Sequence, residues 1–457
     1  MTRHRTLVAV AIAAVCLGGA WIGIRTATDA LRVAAGVAAH HVCSMTFVGG
    51  QDPSRTYDEL VVPVIGSFAG RLLTPQVSRE GRRVDVDGPF RTLARADFTP
   101  GHGCRLALPG NRPLTPATDR WQPAADGLAP DHRVAASQPG LAAAIDRVFA
   151  ETPGAPVKRV KAVVVVRDGR VIAERYADGV DERTPLLSFS VAKSFTNAFL
   201  GILAGRGQVR VDRPLDAPEW RTPGDPRASI TIEDLMRMRS GLAAEEAESA
   251  FSPVARMQFL HADMAGFAAG LPAKEPPGKT FEYTSADTLL LDRLIADKVG
   301  GGPGGLRAFG RRELFGPLGM GDVVMESDGQ GTFVGSTFVY ASARDYARLC
   351  MLYLRDGVAP DGHRILPEGW VAWSRRSTLG TPYGAGFWTN DGPSEFAARR
   401  VAAGFPKDGF FASGTMGQRI YIVPSQRLVV VRFGYSAPPD FGIADDVALI
   451  AAAIAGA

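Results

Sequence analysis

The strongest constraint on this chain sits at the two ends of residues 156–457. Residues 160–166 and 171–176 are apolar, β-branched runs that flank Arg167-Asp168-Gly169-Arg170. Asp-Gly supplies the positive φ of a tight turn, so the segment predicts a β-hairpin. Residues 419–423 and 428–433 repeat the pattern around Pro424-Ser425-Gln426-Arg427, and an apolar helix is predicted over 443–455. Between the hairpins the periodicity is helical, at 190–203, 232–238, 287–298 and 343–354. An antiparallel sheet built from both ends, flanked by helices and interrupted by a mainly helical subdomain, is an α+β arrangement.

Upstream the chain divides again. Residues 1–26 hold an uncharged stretch, 6–24, behind Arg3, His4 and Arg5 and ahead of Arg25. Its length suits a spanning helix better than the shorter apolar core of a signal peptide, and no Ala-x-Ala site follows it. An uncleaved membrane anchor is favoured over a cleaved signal. The bulk of the chain is then exported, with the downstream domain on the periplasmic or extracytoplasmic side. Residues 27–155 read as a small N-terminal region with strand-like runs at 60–65 and 83–86, becoming linker-like from Pro109 to Pro139. Of four cysteines, Cys16 lies in the apolar stretch and Cys350 in a helical pattern. Cys43 and Cys104 remain as a possible disulfide in an oxidising compartment, with two separate buried thiols as the alternative. A net charge of +4 and the absence of dense Lys/Arg runs give no case for nucleic-acid binding. No Cys/His spacing suggests a metal, and nothing suggests an organic cofactor.

Chemistry concentrates in three segments of residues 156–457. In Ser188-Phe189-Ser190-Val191-Ala192-Lys193, Ser190 opens a predicted helix and Lys193 follows on the same face. An alcohol needs a base before it attacks a carbonyl, and a lysine serves only if burial or a positive field lowers its pKa. The motif alone is weak: with 22 serines and seven lysines, about 0.3 matches arise by chance. The second segment, Phe281-Glu282-Tyr283-Thr284-Ser285, places Tyr283 at a loop–helix junction, where its hydroxyl can relay protons. The third, Ser413-Gly414-Thr415-Met416-Gly417-Gln418, enters the last hairpin with two glycines, a sign of close backbone approach.

In this order the three segments resemble the serine β-lactamase and penicillin-recognising superfamily, on its class C and carboxylesterase side. Within it the chain looks most like the 6-aminohexanoate-dimer hydrolases. Ala217-Pro218-Glu219-Trp220, Thr231-Ile232-Glu233-Asp234-Leu235, Met238-Arg239-Ser240-Gly241-Leu242 and Ala343-Arg344-Asp345-Tyr346-Ala347 add to the likeness. The resemblance implies a β-lactamase/transpeptidase-like fold over residues 156–457. It makes Ser190 the nucleophile, Lys193 its base or proton partner and Tyr283 a proton relay, with the N–H groups of Ser190 and Gln418 as oxyanion donors. Tyr283-Thr284-Ser285 stands for Tyr-x-Asn, so Ser285 replaces Asn. Thr415-Met416-Gly417 stands for Lys-Thr-Gly and lacks the lysine that would bind a carboxylate. Ser285, Thr415, Met416 and Gly417 are then supporting or substrate-binding residues.

The implied activity is hydrolysis of small-molecule amides or esters through an acyl-enzyme. A β-lactamase or cell-wall D-amino-acid peptidase, and a non-catalytic binding protein, are the alternatives. Gly-x-Ser-x-Gly does not occur, and Gly278-Lys279-Thr280 lacks the first glycine of a P-loop. The domain holds only His261 and His363, so a Ser-His-Asp triad has little support.

Overall fold

A computed structural model describes residues 26–117, 127–247 and 249–456. The anchor expected at residues 6–24 lies outside them. Among the described residues, no helix is long and apolar enough to cross a membrane.

Residues 26–47 are helical, and residues 33–46 are buried on every side. A helix buried all round belongs in a core, and this one lies in the larger of two hydrophobic clusters, with the helical subdomain and one face of the main sheet. Beside it lies a four-stranded antiparallel sheet: β1 (Thr74–Ser78), β2 (Arg83–Asp87), β3 (Thr92–Thr99) and β4 (Gly103–Leu106), in that order. Cys43 on the helix and Cys104 on β4 form a disulfide, with Cα atoms 6.1 Å apart. The run at 60–65, read as a strand, is helical instead. Asp52 accepts from the Arg55 N–H and Pro53 occupies the first turn, so a helix starts there. It carries on through Tyr57–Val61 and Val62–Ile65. Burial of Leu60 and Val61 against the shared core outweighs their β preference.

The main sheet joins the two ends of the following domain. β5 (Val160–Arg167) and β6 (Arg170–Tyr176) meet at Asp168-Gly169, where both residues take positive φ. A short three-stranded sheet follows from β7 (Leu186–Leu187), β8 (Val324–Met325) and β9 (Val339–Ala341), in the order β7-β9-β8. The main sheet is completed by β10 (Trp388–Thr389), β11 (Phe410–Gly414), β12 (Gln418–Val423) and β13 (Leu428–Gly434). Its order is β10-β11-β12-β13-β5-β6, with β13 antiparallel to β5.

The period of two along β5 assigns its faces. Ala162, Val164 and Val166 enter the large core with the helical subdomain, and Val163 and Val165 enter a smaller one on the other side. Burial on both faces explains the unbroken valine run. The smaller core is closed by helices Pro139–Phe149 and Ile443–Ala455, which pack on each other. The domain therefore begins upstream of the boundary read at 156. Pro139 ends the stretch read as linker-like, yet proline in a first turn favours a helix.

Candidate active site

Ser188-Phe189-Ser190 leaves β7 and enters a 3₁₀ turn, Phe189–Ala192, which continues as helix Lys193–Gly205. The start is held from outside the helix. Ser188 donates its N–H to Val339 O at 2.9 Å and its hydroxyl to Thr337 O at 3.0 Å. Phe189 takes φ +45°, a left-handed conformation that costs a non-glycine residue about 1–3 kcal/mol and persists only under tertiary restraint. The turn leaves Ser190 half-buried while Lys193 is fully buried behind it.

Lys193 Nζ lies 3.4 Å from Ser190 Oγ, and it donates to Ser285 Oγ at 3.1 Å and to Ser336 O at 3.2 Å. The Tyr283 ring centre is 4.8 Å from Lys193 Nζ, and Ser190 eases ionisation of the Tyr283 phenol. The ring stacks on Trp388 at 5.7 Å and meets Tyr383 edge-on at 5.5 Å. Ser190, Lys193, Tyr283 and Ser285 thus share one cluster. Thr284, not Ser285, caps helix Ser285–Val299, which leaves the Ser285 hydroxyl to face Lys193.

Burial holds the Lys193 amine below the usual lysine range, and Glu246 and Asp292 oppose that shift. Burial also pushes the Tyr283 phenol up, Glu246 adds to this, and Ser190 works the other way. A tyrosinate is therefore disfavoured, while burial brings the Lys193 amine nearer to its neutral form. Asp292 is buried and accepts from the Thr196 hydroxyl at 2.7 Å and the Gly335 N–H at 2.8 Å. Burial raises its carboxyl well above the usual range. It fixes the backbone immediately before Ser336, whose carbonyl holds Lys193.

Glu246 is a site residue that sequence reading did not single out. Its carboxylate accepts from the backbone N–H of Ser285, and from Ser285 Oγ at 3.1 Å. Lys193, Ser285 and Glu246 form a hydrogen-bonded chain from the buried amine to an exposed carboxylate. A lone acid in a polar loop carries no sequence signal for this.

The segment that approaches the nucleophile lies three residues before the Lys-Thr-Gly register expected at Thr415-Met416-Gly417. The chain that reaches the nucleophile is β11, at Gly414. A Cβ there would stand 2.5 Å from Ser188 O and 3.1 Å from Ser190 N. Gln418 pairs with Gly414 from the next strand, β12, and its amide Nε2 donates to Thr415 O at 3.1 Å. Gly417, at φ +86°, meets the Arg432 guanidinium and Phe441 O instead, and Met416 is in the core. The two glycines of the segment look alike in sequence. Only strand pairing decides which one faces Ser190. Gly414→Ala is expected to displace the nucleophile turn, because its first contacts are backbone atoms, and to lower kcat/KM by about a hundredfold or more. Steady-state kinetics on an activated ester, with circular dichroism to show retained fold, checks this.

A buried lysine behind a helix-borne serine, a tyrosine ring beside that lysine and a strand passing close to the serine define a serine hydrolase of the penicillin-recognising type. The chain belongs to the β-lactamase family, whose model matches residues 145–454. It is 25% identical over 374 residues to the 6-aminohexanoate-dimer hydrolase of Paenarthrobacter ureafaciens, spanning 73% of this chain and 91% of that protein. Two solved structures share the fold. A penicillin-binding protein homologue from Caulobacter crescentus gives a TM-score of 0.54 at 15% identity, over 70% of this chain and all of its own length (100%). A class C β-lactamase from Rhodobacter sphaeroides gives 0.50 at 19%, over 69% of this chain and 99% of its own.

Proposed function

We propose that this chain hydrolyses small amides or esters by acylating Ser190. The observation that carries the reading is the buried Lys193 amine, 3.4 Å from Ser190 Oγ and 4.8 Å from the Tyr283 ring centre. Neutral Lys193 takes the Ser190 proton as Oγ adds to the substrate carbonyl. The oxyanion lies between the N–H of Ser190 and the N–H that follows Gly414 on Thr415, in place of Gln418. Tyr283 gives its proton to the leaving amine or alcohol and regains one from protonated Lys193. Water then attacks the acyl-enzyme with the same groups acting in reverse.

On β11 the residues in the Lys-Thr-Gly place become Ala412-Ser413-Gly414, so the new register still offers no cation for a carboxylate. This favours neutral or differently charged amides and esters over β-lactams. An anchored, exported protein remains the reading of residues 6–24, and the Cys43–Cys104 disulfide suits an oxidising compartment. A panel of short linear amides, p-nitrophenyl esters and a chromogenic cephalosporin tests the substrate class. Turnover of the cephalosporin well above the rest would move the reading to a β-lactamase.

Glu246 supplies a signed test of the base. Its negative charge favours protonated Lys193, so Glu246→Gln lowers the Lys193 pKa further. Activity rises with pH as Lys193 loses its proton. The acidic limb of the kcat/KM profile is thus expected to move to lower pH by about half a unit to one unit. An unmoved limb, or one moved upward, would remove Lys193 from the role of base.

A further inference from the structure

We infer that the N-terminal segment, residues 26–106, is a working part of the active site, with His41 and Glu326 as positioning residues for the nucleophile turn. The inference rests on Ser190 being the nucleophile. It concerns a segment that lies outside the matched family region, residues 145–454.

Two routes lead from this segment to Ser190. The first is direct. His41 is buried on helix 26–47, and its ring meets the Phe189 ring at 90° with centroids 5.7 Å apart. Phe189 is the residue held at φ +45° immediately before Ser190. Phe259 and Phe338 also meet His41 edge-on, at 6.2 and 6.1 Å. A strained turn relaxes unless its side chain is pinned, and the helix supplies the pin. Burial, with His40 alongside, lowers the His41 pKa to about 3. The ring is therefore neutral through the working range and acts by packing.

The second route runs through Glu326, which follows β8 and is fully buried. Its carboxylate accepts from the Ser44 hydroxyl at 2.8 Å and from the Cys104 N–H at 2.6 Å, and His40 Nε2 lies 2.9 Å away. All three partners belong to the N-terminal segment, and two of them flank or form the Cys43–Cys104 disulfide. Gly103 leaves the carboxylate its room, since a Cβ there would stand 2.4 Å from Oε1. The Glu326 N–H donates to Phe338 O. The stretch it joins, 336–339, supplies the carbonyls of Ser336, Thr337 and Val339 that hold Lys193 and Ser188. A buried carboxylate needs such donors. Here the donors tie the segment to the strand that positions both catalytic side chains.

The test is the second-order rate at which a fluorophosphonate probe labels Ser190 in the full chain. His41→Leu keeps bulk and apolarity but removes the ring, and it is expected to label about tenfold more slowly, with an unchanged circular dichroism spectrum and an unmoved acidic limb. His41→Phe restores an aromatic edge against Phe189 and is expected to return to within about threefold of the parent. A folded His41→Leu protein labelled at the parent rate would overturn the inference, as would equal losses in both variants. If His41→Leu does not fold, Ser44→Ala takes its place, with slower labelling expected and an unchanged rate overturning the inference. An unlabelled parent chain would instead overturn the assignment of Ser190 itself.

Discussion

Ser190→Ala is expected to lower turnover of any amide or ester substrate by about 10⁴-fold or more and to abolish labelling by a serine-directed probe. The oxygen removed is the one 3.4 Å from Lys193 Nζ, and a replacement would have to come from another hydroxyl. Ser285 is the nearest candidate, yet its Oγ is engaged by Lys193 and Glu246. The substitution deletes one atom at a half-buried site, so stability should change by no more than about 0.5 kcal/mol. Thermal melting separates a chemical loss from unfolding. Full turnover in a folded Ser190→Ala protein would end the acyl-enzyme assignment.

Lys193→Met is the second large effect. Methionine matches the length of the side chain and suits the buried site, but it cannot take a proton. General-base catalysis contributes about 10²–10⁴-fold, so kcat should fall by about 10³-fold. The acidic limb of the pH profile should vanish with it. Burial already holds the Lys193 pKa down, so removing the amine also relieves a desolvation cost. The Ser285 hydroxyl and Ser336 carbonyl lose a donor in return, and the two effects oppose each other in stability. A Lys193→Met protein that kept its acidic limb would show that another group titrates there. Glu246→Gln then distinguishes the two cases, because its shift acts through Lys193.

The readable parts of this site were local ones. Ser190 and Lys193 are three residues apart, and helical geometry alone puts them on one face. Both hairpins were legible because β-branched runs flank turn residues whose backbone preferences are strong. Helices Ala343–Leu354 and Ile443–Ala455 coincide with the predicted spans, because their apolar spacing is regular. The misread parts depend on partners distant in sequence. Residues 60–65 have strand-like composition but follow a capped helix start, and burial decides in favour of the helix. Gly414 and Gly417 are indistinguishable until β11 pairs with β12. Glu246 becomes part of the site only because its loop returns to Ser285, 39 residues later.

By itself, the sequence determined the α+β class, the serine–lysine pair and the tyrosine that could serve them, because helix pitch and strand alternation act over a few residues. Tertiary structure alone decided which glycine faces Ser190, which carboxylate the lysine senses and what holds Phe189 in its turn. Each of those is set by pairing or packing between segments far apart in the chain, and local preference carries no record of such contacts.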